Sequence, residues 1–213
     1  MGSEQEIIGL IEQIGIVPVV VLEDEKDAEP LADALKEGGL PCAEVTFRTE
    51  AAESAIRLML KKYPDMVVGA GTVLTVAQAE RAVRAGAKFI VSPGYGEEVV
   101  NYCIENNIVV IPGVSSASDI QRAIGAGLKV VKFFPAEASG GLDMIKALAA
   151  PYKDIKFMPT GGINVNNMES YLAFPKIIAC GGSWMVKSTY IKDGKFSAIK
   201  EMTENAVQKM LGL

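Results

Sequence analysis

The sequence contains no histidine and only three cysteines, which excludes several kinds of active site. Without histidine, neither Ser-His-Asp nor Cys-His nucleophile systems can form, and the usual imidazole-rich zinc and iron sites are also excluded. The cysteines Cys42, Cys103 and Cys180 are odd in number and form no CxxC pair, so they indicate neither a disulfide framework nor a zinc cluster. Acid-base chemistry is therefore left to Glu, Asp, Lys, Tyr or water, and we expect a protein of the reducing cytoplasm.

Long hydrophobic runs and an excess of positive charge are also lacking. No segment reaches the roughly 18 consecutive apolar residues that a membrane-spanning helix needs. The formal net charge of -5 argues against a nucleic-acid-binding protein, which usually carries a basic stripe. We therefore expect neither a membrane nor a nucleic acid as partner.

The sequence does contain one pattern that repeats to its end. Eight short apolar, β-branched runs alternate with segments of helical spacing that end in Gly, Asn or Pro. The apolar runs occupy residues 15–22, 41–47, 66–72, 87–93, 108–114, 128–136, 156–163 and 176–185. The helical segments occupy residues 26–38, 50–62, 76–85, 97–106, 117–125, 142–149, 166–173 and 197–211.

This alternation predicts an α/β fold with parallel strands. Strands that are buried on both faces form near-continuous apolar runs, and short βα units pair in parallel through right-handed crossovers. Eight such units predict a single (β/α)8 TIM barrel over residues 1–213, with a short amphipathic helix over residues 1–14. An open doubly wound sheet is the alternative, but no GxGxxG follows the first run and nothing marks a switch point.

In such a barrel the active site lies at the carboxyl ends of the strands. The polar residues at those ends are therefore the candidates for function, namely Glu44, Thr46, Arg48, Thr72, Ser92, Ser115, Lys132, Thr160 and Ser183. Strand alternation places Glu44, Thr46 and Arg48 on one side of the second strand.

Lys132 lies in the most apolar stretch of the chain, VVKFFP (130–135). A low-dielectric environment destabilises an ammonium relative to the neutral amine. A neutral amine can attack a carbonyl and form a Schiff base, which is the covalent route of lysine with keto substrates. The alternative is that Lys132 ends a strand and extends its amine into water.

Glu44 lies in a second apolar stretch, PCAEVTF (41–47). Burial of its carboxylate is costly unless the group is paired or protonated. Glu44 is either an acid-base group or one partner of a structural ion pair with Arg48 or Lys132. The planar fork of Arg48 suits bidentate binding of a carboxylate, although a surface position at the start of the next helix is also open.

Two glycine doublets follow the last two strands. Thr160-Gly161-Gly162 lies near the end of the seventh run and Gly181-Gly182-Ser183 near the end of the eighth, after the strand that each run predicts. Each doublet alone is a routine turn signal. Their joint position indicates a phosphate site, because barrels commonly bind phosphate there through backbone N–H groups.

Several of these strings resemble those of one enzyme family, the aldolases of 2-keto-3-deoxy-6-phosphogluconate (KDPG), which also act on 4-hydroxy-2-oxoglutarate (KHG). The strings are EVTFRTE (44–50), GAGTV (69–73), SPG (92–94), IPGV (111–114), KFFPAE (132–137), PTGGI (159–163) and GGSW (181–184). They occur in the family's order and spacing from about Gly15 onward. The resemblance implies a class I aldolase on a (β/α)8 barrel, usually a homotrimer, that needs no metal or other cofactor.

The resemblance also implies roles for individual residues. Lys132 corresponds to the Schiff-base lysine and Glu44 to the general acid-base. The implied substrate-binding residues are Arg48 and Thr72 at the carboxylate, Pro93 and Phe134 along the pocket, and Thr160, Gly161, Gly162, Gly182 and Ser183 towards the phosphate. Some homologues carry an arginine near the first strand that helps to bind phosphate. This chain has Gly-Ile-Val-Pro (15–18) there, which leaves the strength of phosphate selection open.

The implied reaction is cleavage of KDPG to pyruvate and glyceraldehyde 3-phosphate, and of KHG to pyruvate and glyoxylate. Three alternatives remain open. The nearest is an aldolase for the galactonate epimer, although EVTFRT (44–49) and Thr160 favour the gluconate substrate. The others are a phosphate-binding barrel isomerase or epimerase, many of which use metal-bound histidines, and a non-catalytic barrel that binds a phosphorylated ligand.

Overall fold

In the computed structural model, which describes residues 3–212, strands and helices alternate along the chain. Residues 1, 2 and 213 lie outside the described part, and the first two of them belong to the expected N-terminal helix. The strands of the described part are β1 Ile16–Val20, β2 Cys42–Thr46, β3 Val67–Gly71, β4 Phe89–Val91, β5 Val109–Ile111, β6 Gly113–Val114, β7 Val130–Phe133, β8 Lys156–Pro159 and β9 Cys180–Gly182. The α-helices are α1 Glu4–Ile14, α2 Ala28–Glu37, α3 Ala52–Lys62, α4 Val76–Arg84, α5 Glu97–Glu105, α6 Ala117–Gly125, α7 Gly141–Ala149, α8 Met168–Leu172, α9 Ser188–Lys192 and α10 Phe196–Met210.

The strands form two parallel sheets. The larger has the order β5-β4-β3-β2-β1-β9 and the smaller has the order β6-β7-β8. Each of the eight apolar runs contains a strand, and the fifth run is divided into β5 and β6 at Pro112. Proline lacks the N–H that a strand donates to its neighbour. The parallel α/β prediction is therefore confirmed, with two sheets of six and three strands where the sequence predicted one ring of eight.

The two sheets approach each other at both edges of the smaller one. β5 and β6 are separated only by Pro112. At the other edge of the smaller sheet, isolated parallel bridges join Phe157 of β8 to Ile177, and Thr160, which directly follows β8, to Gly181 of β9. The Thr160–Gly181 bridge brings the two glycine doublets side by side.

Alternate residues of the strands enter two different apolar clusters. The inner cluster contains the first or second residues of several strands, including Val17, Cys42, Val67, Phe89, Val109 and Val130. Their sequence neighbours, such as Ala43 and Val68, belong to an outer cluster between the strands and the helices. This period-2 pattern separates an inward from an outward face on each strand.

Helix α1 covers the inner cluster at the end where the strands begin. Ile7 and Ile11 of α1 are buried in that cluster. The Ser3 hydroxyl caps the first turn by accepting from the Glu6 amide at 3.3 Å, and Gly15 ends the helix at a φ of 70°. Because this end is covered, a site on the inner face has to open at the carboxyl ends of the strands. None of the helices between residues 3 and 212 is both long and apolar enough to span a bilayer.

Candidate active site

A buried ion pair between Glu44 and Lys132 forms the centre of the candidate site. Glu44 in β2 is two residues after Cys42, and Lys132 in β7 is two residues after Val130, so both side chains share the face of the inner cluster. Lys132 Nζ donates to Glu44 Oε1 at 3.0 Å. The exposed fraction is 0% for Glu44 and 5% for Lys132. The alternative in which the Lys132 amine extends into water is therefore wrong.

Each charge in this pair compensates the burial of the other. An unpaired buried charge costs several kcal/mol, and removal of one partner of such a pair typically costs about 3–5 kcal/mol. The second carboxyl oxygen, Glu44 Oε2, is buried and has no hydrogen-bond partner among residues 3–212. Glu44 can therefore contact Lys132 through one oxygen and exchange a proton with a substrate or water through the other.

The Glu44 carboxyl fits in its position because Gly71 has no side chain. Gly71 ends the neighbouring strand β3, opposite Thr46 in the parallel register. A Cβ built on Gly71 would lie 2.2 Å from Glu44 Oε1, which is shorter than any contact that real Cβ atoms make. The glycine of the GAGTV string therefore leaves the space that the carboxyl occupies.

Two other candidate hydroxyls are engaged within the fold. Thr46 Oγ1 donates to the Val20 carbonyl at 2.8 Å, and Ser92 Oγ donates to the Gly94 carbonyl at 2.7 Å. These bonds satisfy both buried side chains and connect neighbouring parts of the backbone. Their role is therefore structural.

An open cavity of about 520 Å³ lies beside the ion pair. Glu44 and Lys132 are not among the described residues that line it. Phe134 links the pair to the cavity, because it belongs to the lining and its ring centroid is 5.4 Å from Lys132 Nζ. Seven of the expected site residues line the cavity, namely Arg48, Phe134, Thr160, Gly161, Gly162, Gly182 and Ser183. The structure thus brings the catalytic candidates and most of the substrate-binding candidates to one place.

The backbone around Gly162 is shaped to present N–H groups. Gly161 and Gly162 have φ values of 102° and 83°, which favour glycine. The amides of Gly162 and Ser183 donate to no acceptor within residues 3–212. Free N–H groups at adjacent turns form an anion-binding concavity, so this wall of the cavity suits a phosphate.

Glu137 and Tyr171 hold this glycine loop from behind. The Glu137 amide donates to the Gly161 carbonyl at 3.0 Å, and a Cβ on Gly162 would lie 2.5 Å from Glu137 Cγ. The Tyr171 hydroxyl donates to the Glu137 carboxylate. Burial and this hydrogen bond raise the pKa of Tyr171, so it remains a neutral donor. The glutamate of the KFFPAE string therefore supports the loop.

Thr72 and Pro93 lie outside the cavity lining among the described residues. Thr72 follows β3 with a φ of 54°, a left-handed conformation that is uncommon for threonine. The Pro93 carbonyl faces Gly113, where a Cβ would approach it to 2.1 Å. Thr72 follows β3, which pairs with the Glu44 strand β2, whereas Pro93 follows β4, which lies between β3 and β5. Contact of either residue with substrate stays a prediction.

The Thr160 hydroxyl is an unsatisfied polar group in the cavity wall. Thr160 is 6% exposed, and its Oγ1 has no hydrogen-bond partner in the described chain. A buried hydroxyl without a partner is costly, typically by about 1–3 kcal/mol. A polar group of a ligand would remove that cost.

Sequence reasoning missed the cavity residues that follow β9. Lys187, Ser188 and Thr189 line the cavity together with the glycine loop, as do Val19 and Val21 from the first strand region. The rule that sites lie at the carboxyl ends of strands would have included residues just beyond GGSW (181–184). Lys187 was overlooked because a lysine in a polar loop is usually a surface residue.

The cysteines are unsuited to catalysis. All three are buried. Burial raises the pKa of Cys103 and of Cys180 to about 12, and burial together with the nearby Glu44 charge raises the pKa of Cys42. A thiol must ionise to act as a nucleophile, so Lys132 is the better candidate. No cluster of three or more His, Cys, Asp or Glu side chains suited to a metal occurs within residues 3–212.

Comparison with known proteins gives consistent matches over nearly the whole chain. A family model described as KDPG and KHG aldolase matches residues 7–202. The 2-dehydro-3-deoxy-phosphogluconate aldolase of Treponema pallidum (strain Nichols) is 48% identical over 202 residues, which cover 95% of this chain and 96% of that protein.

Solved structures match equally well. A KDPG aldolase from Legionella pneumophila, with pyruvate captured as a covalent carbinolamine intermediate, is 41% identical with a TM-score of 0.90, and the match covers 93% of this chain and 97% of that one. The 2-keto-3-deoxy-6-phosphogluconate aldolase of Zymomonas mobilis ZM4, solved with 3-phosphoglycerate, is 38% identical with a TM-score of 0.89 over 96% of each chain.

Proposed function

Because the chain belongs to the KDPG and KHG aldolase family, we propose that it is a class I aldolase that cleaves KDPG to pyruvate and glyceraldehyde 3-phosphate. It also cleaves KHG to pyruvate and glyoxylate, since the bond broken lies in the same position of the pyruvyl half. The observation that carries the proposal is the buried 3.0 Å contact between Lys132 Nζ and Glu44 Oε1. It supports a lysine nucleophile with a proton acceptor already in contact.

The reaction begins with imine formation. Lys132 transfers a proton to Glu44, and the neutral amine attacks the C2 ketone to give a carbinolamine. Glu44 returns a proton to the departing hydroxyl, water leaves, and a protonated imine joins C2 to Lys132. The carbinolamine captured in the Legionella pneumophila relative supports this route for the present chain.

The iminium then accepts electrons from the bond that breaks. Glu44 removes the proton of the C4 hydroxyl, the C3–C4 bond breaks, and its electron pair moves to the iminium to form an enamine. Glyceraldehyde 3-phosphate leaves from KDPG, and glyoxylate leaves from KHG. Protonation of the enamine at C3 and hydrolysis of the resulting imine release pyruvate and free Lys132. The unpartnered Glu44 Oε2 supports this shuttle role.

The remaining site residues orient the substrate. Arg48 and Thr72 bind the carboxylate of the pyruvyl half, and Phe134 and Pro93 border the reacting carbons. The free amides of Gly162 and Ser183 contact the phosphate, and Gly161 and Gly182 let the backbone approach it closely. Thr160 donates to a substrate oxygen, which its unsatisfied hydroxyl supports.

The two sheets are two parts of one closed (β/α)8 barrel that forms a single domain. The one-residue gap between β5 and β6 and the Thr160–Gly181 bridge support closure at the two edges of the smaller sheet. We further propose a homotrimer, in line with the family resemblance, and a cytoplasmic location, which three free thiols favour.

The test is reduction with sodium borohydride in the presence of pyruvate, followed by peptide mass spectrometry. We expect an irreversible pyruvate adduct on Lys132 in the wild type and in Lys129→Ala, which removes an exposed lysine just before β7. Lys132→Ala forms no adduct and loses aldol cleavage. Folded protein that binds pyruvate but carries no adduct, or carries it on another lysine, would contradict the mechanism.

Two additions make this test decisive. Lys132→Ala leaves the Glu44 charge buried without a partner, so a Lys132→Met/Glu44→Gln double variant removes both charges together and protects the fold. Turnover of KDPG and of its galactonate epimer is then compared in the wild type. Faster cleavage of the galactonate epimer would overturn the substrate assignment and leave the Schiff-base chemistry intact.

A further inference from the structure

The charge of the cavity lining is entirely positive. Among the described residues that line it, Arg48 and Lys187 are the cations, and neither Asp nor Glu is present. KDPG, the substrate proposed above, carries a carboxylate at one end and a phosphate at the other. Two cations therefore face a substrate with two anionic groups, and Arg48 already serves the carboxylate in the proposed function.

Lys187 is held on the same side of the cavity as Ser183. The Val186 amide donates to the Ser183 carbonyl at 3.1 Å, which closes a turn directly after β9. Lys187 follows this turn and lines the cavity together with Ser183 and Gly162. The side chain is exposed, so it can move towards a ligand in the cavity mouth.

The charge of Lys187 is not neutralised by the protein. Neither Lys187 nor Arg48 forms an ion pair with any carboxylate of residues 3–212, whereas the nearby Lys195 contacts Asp193 at 2.8 Å. Lys187 Nζ lies 5.9 Å from the centroid of the Tyr190 ring, a contact worth only about 0.5–1 kcal/mol at an exposed site. The ammonium is therefore available to an anion.

Apart from Lys187, the described part of the cavity wall near Gly162 and Ser183 offers only neutral groups to a phosphate. Val19 and Val21 line the cavity from the first strand region and contribute no charge. Gly162 and Ser183 contribute amides, and Thr189 contributes a hydroxyl. A phosphate ester carries a charge of about -1.5 to -2 at neutral pH, and a charge-assisted hydrogen bond is roughly twice as strong as a neutral one.

We propose that Lys187 is the residue that binds the phosphate of the substrate by charge and thereby selects phosphorylated over unphosphorylated sugar acids. This inference rests on the proposed aldolase function. Lys187 touches neither the ketone nor the C3–C4 bond, so it acts on binding and leaves the chemical step alone.

The test compares Lys187→Met, which keeps the stem of the side chain and removes the charge, with the wild type. We expect the KM for KDPG to rise about tenfold because one exposed charge-assisted contact is lost, while kcat stays within about twofold. The KM for 2-keto-3-deoxygluconate, the same sugar acid without phosphate, does not change. The inhibition constant of inorganic phosphate rises in parallel with the KM for KDPG.

Two further variants serve as controls. Lys192→Met removes an exposed lysine at the end of α9 that lies outside the cavity lining, and it leaves every constant unchanged. Lys187→Arg restores the KM for KDPG. Raised salt weakens KDPG binding in the wild type more than in Lys187→Met, because the contact is screened.

The outcomes separate this inference from the proposed function. If the wild type neither cleaves KDPG nor forms the borohydride adduct, the aldolase proposal is overturned. Calorimetry of inorganic phosphate binding to the wild type and to Lys187→Met then still tests whether Lys187 binds phosphate; equal affinities would overturn that role. An active wild type with Lys187→Met unchanged on KDPG overturns the role of Lys187 alone. Equal losses on the phosphorylated and unphosphorylated substrates also overturn it.

Discussion

At the scale of single residues, the position of Glu44 depends on a neighbour without a side chain. Gly71 lies where a Cβ would come within 2.2 Å of Glu44 Oε1. The strand itself can accept an alanine, so the main effect of a methyl group there is to displace the carboxyl. A substitution at Gly71 is therefore expected to affect the position of the Glu44 carboxyl more than the stability of the sheet.

We expect Gly71→Ala to lower kcat towards the level of Glu44→Gln. Loss of a general acid-base group costs typically about 10²–10⁴ in rate, and a displaced carboxyl loses part of that contribution. Single-turnover cleavage of KDPG measures the effect. Gly9→Ala is the matched control, because a Cβ at Gly9 in α1 meets nothing within 4 Å. A Gly71→Ala protein with wild-type kcat would show that the carboxyl has room to move.

Prediction of single residues from the sequence succeeded inside strands, where alternation decides, and failed in the loops that follow them. Alternation predicted one shared side for Glu44, Thr46 and Arg48, and the apolar surroundings of Glu44 predicted an ion pair with Arg48 or Lys132, of which the structure forms the pair with Lys132. The left-handed Thr72 was not predictable, since no local signal marks it. Lys187 was missed because a lysine in a polar loop is usually a surface residue, although the strand-end rule covers the residues just after GGSW (181–184).

At the scale of elements, α1 seals the end of the molecule opposite the candidate site. Ile11 is fully buried among the first residues of the strands. We expect Ile11→Ala to lower the free energy of unfolding by about 2–5 kcal/mol, because it leaves a cavity under the helix. Urea unfolding followed by circular dichroism measures the loss. The borohydride adduct on Lys132 still forms below the unfolding transition.

The control for this prediction lies on the same helix. Gln13 is exposed, so Gln13→Ala changes the free energy of unfolding by no more than about 0.5 kcal/mol. If Ile11→Ala were as stable as Gln13→Ala, α1 would be a loosely attached segment.

The order of elements was largely predictable, and the two exceptions have local causes. Every apolar run contains a strand because strands buried on both faces need continuous apolar sequence. β5 and β6 are separate because Pro112, which has no N–H, lies between them; β5 pairs with β4 and β6 pairs with β7. α9 was missed because its five residues are too few to show a helical period.

At the scale of the whole molecule, burial of the thiols makes stability sensitive to alkali. The pKa of Cys103 and that of Cys180 are raised to about 12, well above the value near 8.5 of an exposed thiol. The folded state therefore keeps protons that the unfolded state releases. This contribution is fully present below about pH 8, and it is lost as the pH rises from there towards 12.

We expect the free energy of unfolding to fall with pH above about 9, with each such thiol contributing a slope of about 1.4 kcal/mol per pH unit. Urea titrations at several pH values between 8 and 10.5 measure the slope. This pH range lies between the pKa of an exposed thiol and the raised pKa values of the buried thiols. Cys103→Ala is expected to be less stable at every pH but to show a smaller slope. An unchanged slope would mean that the Cys103 thiol ionises equally in both states.

The ion pair at the centre of the site also has a consequence for how the enzyme gains activity. Glu44 and Lys132 are 88 positions apart, and their strands belong to different sheets. Contacts of such high sequence separation form only after the entropy of a long loop has been lost, so they arise late in folding. While β7 has not yet been synthesised, a nascent chain contains Glu44 but not Lys132, its cationic partner. Helical content during refolding therefore reports early events, whereas the capacity to capture pyruvate reports the docking of one sheet against the other.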